Sequence, residues 1–137
     1  MLTPVAIAID RVGKTKLEKA WLLSHGWHET KYAYLVINNR CSEMPKGEQC
    51  DPKKGVAQSV GPWQVKPKWC RTDTSTLEGQ AECVINQARF GKRRCNTWLG
   101  AFAAPIGSGA CVSKKGPARV YMMNTLVKKM DHLRAIH

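Results

Sequence analysis

The chain has 137 residues, with 22 Lys and Arg against 10 Asp and Glu, giving a net charge of +12 at pH 7. That length makes one domain, 1–137, able to bury roughly two thirds of its unfolded surface. At 43% hydrophobic and 23% charged residues, with no repeat or low-complexity run, the composition excludes a disordered or fibrous chain, and the excess of base favours an anionic partner: nucleic acid, an anionic membrane surface or an acidic envelope polymer.

"TPVAIAIDRVG" opens the chain with Thr3 as a candidate N-cap, Pro4 at the first helical position and Gly13 as a stop. It is too short to span a membrane, has no basic region before it, and runs into Asp10-Arg11. In "TKLEKAWLLSHGWHE", Thr15 and Glu18 stand at capping-box spacing, and Leu17, Ala20, Trp21 and Ser24 mark an apolar face. Gly26 is expected to loosen the end of that helix, so Glu29 falls at or just past its C-terminus. Residues 38–54, rich in Asn, Pro, Gly and charge, read as a loop. "GVAQSVGPWQVKPKW" reads as short extended pieces around a tight Gly-Pro turn. Three helical stretches follow: "LEGQAECVINQARF", "NTWLGAFAA" ending at Pro105, and "GPARVYMMNTLVKKMDHL" with apolar residues from Val120 to Leu133. The expected fold is mainly α (α+β), a helical domain with a small irregular β insertion.

Six cysteines stand at Cys41, Cys50, Cys70, Cys83, Cys95 and Cys111, without the C-x-x-C spacing of a structural zinc site. An even count in a small basic domain favours a disulfide framework over six buried thiols, and with it an oxidising compartment. Pairing of sequence neighbours is the simplest connectivity, because each pair closes a short loop. His25, His28 and Glu29 do not complete H-E-x-x-H, since Tyr32 holds the position of the second histidine. No metal and no cofactor is expected.

"HETKYAYLVINN" places Glu29 behind Trp21 and Trp27 in an acid-poor chain. Cleaving a glycosidic bond needs a carboxylic acid within hydrogen-bond reach of the bridging oxygen, kept protonated by apolar surroundings. Indoles supply such surroundings and also stack on sugar rings, so Trp63 and Trp69 are candidates for a cleft as well as for a core. "HETKYAYLVINN", "AQSVGPWQV" and "TWLGAFAA", in that order, resemble the three short motifs of the goose-type lysozyme and soluble lytic transglycosylase superfamily.

That resemblance spans about Ala20 to Phe102 and implies a lysozyme-like fold. It implies Glu29 as the general acid, with Thr30, Ser59, Gly61, Trp63 and Gln64 lining the substrate cleft and Phe102 near the acid. Thr30 replaces the usual Ser after the acid, Pro62-Trp63 replaces Leu-Met in the turn, and Phe102-Ala103 replaces Tyr-Asn. The acidic residue that follows the turn in goose-type lysozymes is Lys66 here, leaving Asp51 and Asp73 as possible second carboxylates. The implied activity is cleavage of the β-1,4 bond between N-acetylmuramic acid and N-acetylglucosamine in peptidoglycan, with the lytic transglycosylase outcome favoured over hydrolysis. The implied partners are peptidoglycan strands and anionic envelope polymers, met by a secreted or periplasmic monomer with no membrane insertion. The alternative is a noncatalytic basic protein that binds cell wall or nucleic acid, although no nucleic-acid-binding signature stands in the sequence.

Overall fold

The computed structural model describes residues 2–32, 50–51, 56–57, 59–104 and 110–136. Five helices dominate them: α1 (Leu2–Val12), α2 (Lys16–Thr30), α3 (Leu77–Cys95), α4 (Trp98–Ala103) and α5 (Gly116–Ile136). The extended structure described is slight. β1 (Cys50–Asp51) pairs antiparallel with β2 (Val56–Ala57), in the register Cys50 to Ala57, and Val60 and Val65 form one further bridge. Beyond these short pairings the expected small β insertion is not seen among the described residues, and a single 3-10 turn covers Pro67–Trp69.

Local signals in the sequence account for most of the helix ends. The Thr15 side chain caps α2 by accepting from Glu18 N at 3.1 Å, and the Thr76 and Thr97 side chains cap α3 and α4. Each such cap is worth about 1 kcal/mol. Gly13 closes α1, its N–H donating to Ile9 O at 2.8 Å. Helix α1 begins at Leu2 and takes in Thr3, two residues earlier than the Thr3-Pro4 signal implies.

Gly26 does not loosen α2, which continues to Thr30 before Lys31 and Tyr32 both turn left-handed, at φ 49° and 55°. The absence of a side chain at Gly26 makes room for Tyr32, whose hydroxyl oxygen lies 2.5 Å from where a Cβ would stand. The Tyr32 phenol folds back along the helix and donates to Leu23 O at 2.5 Å. Glu29 is thus held in the last turn of a well-terminated helix.

The core forms where the helices meet. α1 lies against α3 and α2, α2 against α5, and α3 and α4 pack tightly together with α5 over α4. Trp21 and Leu22 of α2, Val84, Ile85 and Ala88 of α3, Phe102 of α4 and Met123 of α5 are all fully buried. The methionine and apolar stripe of α5 is therefore a packing surface. Arg89 of α3 joins three helices: it grips both Glu18 carboxylate oxygens, at 2.5 and 3.2 Å, and reaches Val12 O at 3.4 Å.

Two disulfides, Cys70–Cys83 and Cys95–Cys111, fasten the loops on either side of α3 and match the neighbour pairing. Cys41, the expected partner of Cys50, lies outside the described residues. None of the described helices is long and apolar enough to cross a membrane.

Candidate active site

The two motifs expected to build a cleft are in contact. The Thr30 hydroxyl lies 3.0 Å from both Gly26 O and Pro62 O and shares its one proton between them. It accepts in turn from the Tyr32 N–H at 3.1 Å. A second tie runs from Trp63 Nε1 to Leu22 O at 2.9 Å. The end of α2 and the Gly-Pro-Trp-Gln turn are thereby fixed against each other one residue from Glu29.

The turn itself follows from its residues. Gly61 has φ +74°, a conformation costly for residues with a Cβ, and the carboxamide oxygen of Gln80 lies 1.9 Å from where such a Cβ would stand. Gln64 is also left-handed, at φ 50°, and its N–H and its side-chain Nε2 both donate to Gly61 O, at 3.1 and 2.8 Å. The bridge between Val60 and Val65 closes the turn, and Ser59, which precedes it, is buried.

Three of the expected residues do other work than expected. Trp63 is only 2% exposed; it is a core residue that ties the turn to α2 and offers no ring face to a cleft. The Thr30 hydroxyl is fully engaged as a bracket and is buried. Phe102 is also buried, and it meets the acid-bearing helix through Trp21, with ring centroids 5.5 Å apart. Trp21 in turn stacks on His25 at 4.7 Å and 15°, and His25 Nε2 lies 3.8 Å from Glu29 Oε1.

His25 stands out as a residue not singled out for chemistry by its sequence context. Burial, with Arg119 and His28 nearby, pushes its imidazole down to about 3. It is therefore neutral at physiological pH, and its contact with Glu29 is that of a neutral ring beside a carboxyl group. Its Nδ1, like Trp21 Nε1 and Ser24 Oγ, has no hydrogen-bond partner among the described residues. The periodicity that marks Trp21 as core, carried four and eight residues on, places His25 and Glu29 on the same face. The Glu29 side chain keeps 26% of its surface exposed and stands at the edge of this buried stack.

The candidate second carboxylates divide. Asp73 is exposed and bonded to Ser75, its Oδ1 accepting from the Ser75 N–H and hydroxyl at 3.0 and 2.6 Å, which holds its carboxyl below the usual range. It belongs to the turn that begins α3. Asp51 pairs with Val56 through β1, and its carboxyl lies outside the described part of the structure. Trp27 and Trp69 are the exposed indoles, at 44% and 60%. Among the described residues, no group of three or more His, Cys, Asp and Glu side chains is placed to hold a metal ion.

Comparison with protein-family models, with curated proteins and with solved structures gave no match.

Proposed function

We propose that the protein cleaves the β-1,4 bond between N-acetylmuramic acid and N-acetylglucosamine in peptidoglycan, with Glu29 as general acid. The observation that carries this reading is the bracket from Thr30 to Pro62, which sets the carboxylate-bearing helix end against the glycine-glutamine turn. Two motifs far apart in sequence meet there, as the resemblance requires. Glu29 is also partly exposed beside a dry aromatic stack, where a carboxyl group can meet a substrate oxygen.

In the favoured outcome Glu29 protonates the bridging oxygen as the bond to the muramic acid anomeric carbon breaks. The C6 hydroxyl of the same sugar then closes on that carbon, and the Glu29 carboxylate takes the hydroxyl proton. No second carboxylate is needed, in keeping with Lys66 after the turn and with the bonding of Asp73 to Ser75. The product is an anhydro-muramoyl end. Digestion in heavy-oxygen water tests this part: label in most new muramic acid ends means that water attacked and the enzyme is a lysozyme.

Glu29→Gln tests the assignment itself. General-acid groups contribute typically ~10²–10⁴-fold, so the variant should melt like the native protein and lose nearly all clearing of a cell-wall suspension. Clearing at more than about a tenth of the native rate would remove Glu29 from the mechanism. The net charge of +12 favours one competing reading, a noncatalytic binder of anionic wall polymer. In that case native protein releases no sugar fragments, and both forms bind walls equally.

A further inference from the structure

The outer face of α3 carries a second aromatic site. The Cys70–Cys83 disulfide fastens the segment after the 3-10 turn to α3, and Trp69 and Arg71 flank its first cysteine. Trp69, 60% exposed, borders a groove of about 480 Å³ that Phe90, 57% exposed, also lines. Cys83, Gln87 and Phe90 follow at helical spacing, so the disulfide and the second ring lie on one face of α3. Single exposed apolar residues are ordinary, but two aromatic rings on one groove, with a disulfide fixing one of them, form a prepared surface.

Charge selects the occupant. Among the described residues, no Asp or Glu lines the groove. Lys66 Nζ and Lys68 Nζ stand 4.7 and 5.4 Å from the Trp69 ring centroid, and exposed Arg71 makes no ion pair among the described residues. Asn86 and Gln87 provide neutral amides that donate to and accept from hydroxyl groups. Indole and phenyl faces stack on the C–H faces of sugar rings. A lysine held over an exposed ring is weakly bound there and can swing to an acidic substituent when a sugar takes its place.

We propose that this groove binds a carboxylate-bearing glycan strand, with Trp69 and Phe90 as stacking platforms and Arg71, Lys66 and Lys68 as carboxylate partners. Neutral amides among the lining suit a polymer that carries hydroxyls throughout and charge only at intervals. They suit single-stranded nucleic acid, charged at every repeat, less well. The proposal makes no use of Glu29 and stands apart from the cleavage reading.

The test uses full-length protein and isothermal titration at physiological salt with three probes: a hyaluronate hexasaccharide, neutral chitohexaose and a thymidine decanucleotide. Hyaluronate should bind best, and its affinity should fall at least about tenfold when Trp69→Ala and Phe90→Ala are combined. Both rings are exposed, so the double variant should keep the native melting temperature. Glu29→Gln should bind hyaluronate as the native protein does, which separates this groove from the proposed catalytic cleft. The proposal is overturned if hyaluronate does not bind, if the double variant binds it undiminished, if chitohexaose binds equally well, or if the decanucleotide binds more tightly.

Discussion

A fully buried histidine four residues from the candidate acid sets a pH limit on the native state. The His25 ring is pushed down to about 3 by burial first, then by Arg119 and His28, while in the unfolded chain it titrates near 6.5. Unfolded protein therefore binds a proton that native protein refuses, and stability falls as pH drops from 6.5 toward 3. The slope for one proton is about 1.4 kcal/mol per pH unit. His28 adds in the same direction, since burial also lowers it. Glu18 acts at lower pH: burial raises its carboxyl, but the Arg89 hydrogen bonds outweigh that and hold it below its ordinary value, so its contribution is complete above 4.5 and is lost as pH falls below that. The window from 6.5 to about 5 thus belongs to the histidines. Proton NMR of the His25 ring should show no titration between pH 7 and pH 4.5 in native protein. A midpoint near 6.5 would mean that the ring is wet and that the slope comes from elsewhere.

Among the elements, the tightest joint is between α3 and α4, where two glycines bring backbone against backbone. A Cβ on Gly91 would stand 2.3 Å from Gly100 O and 2.7 Å from Ala104 Cβ, and one on Gly100 would stand 2.4 Å from Gly91 O. Gly91→Ala should therefore destabilise by about 1–3 kcal/mol, as overpacking does, despite the better helix propensity of alanine. Gly116→Ala is the control: its Cβ would come no nearer than 3.3 Å to Leu99 Cδ2, so its urea midpoint should barely move. Equal effects from both would deny the close joint. These glycines also show where the sequence stops being legible. Threonine caps, the apolar spacing of α3 and the methionine stripe of α5 could be read because each is a local pattern. Gly91 reads locally only as a weak point inside a helix, because its partner is another glycine on another helix. Trp63 misleads for the same reason: an indole beside a turn can face a cleft or a core, and only its bond to Leu22 O decides which. Within the candidate site, Glu29 and the Gly61–Gln64 turn were visible as motifs. The bracket through Thr30, the stack from Phe102 to His25 and the pressure of Gln80 on Gly61 are long-range and were not.

At the scale of the whole molecule, the two described disulfides close loops of sequence separation 13 and 16 on either side of α3. Each is worth roughly 2–4 kcal/mol through the unfolded chain. Reducing both should lower the melting temperature by about 15–25 °C, measured calorimetrically with and without a phosphine reductant. A shift below about 5 °C would show that the helical core carries the fold without them. The +12 charge acts at the same scale and works against compactness, so the fastenings count for more in this chain than in a neutral one of equal length.

The grip of Arg89 on Glu18 has a consequence for the order in which the molecule is made. The two residues are 71 positions apart, and at ~5–20 residues per second a ribosome needs roughly 4–14 s to travel from one to the other. For most of that interval α1 and α2 lack the strap that draws them together, and the surface of α5 that will cover α2 does not yet exist. The end of α2 meets the Gly61–Gln64 turn earlier, as soon as Pro62 and Trp63 have been made. Helix α2 thus meets its partners in two stages, the turn first and the strap from α3 only afterwards.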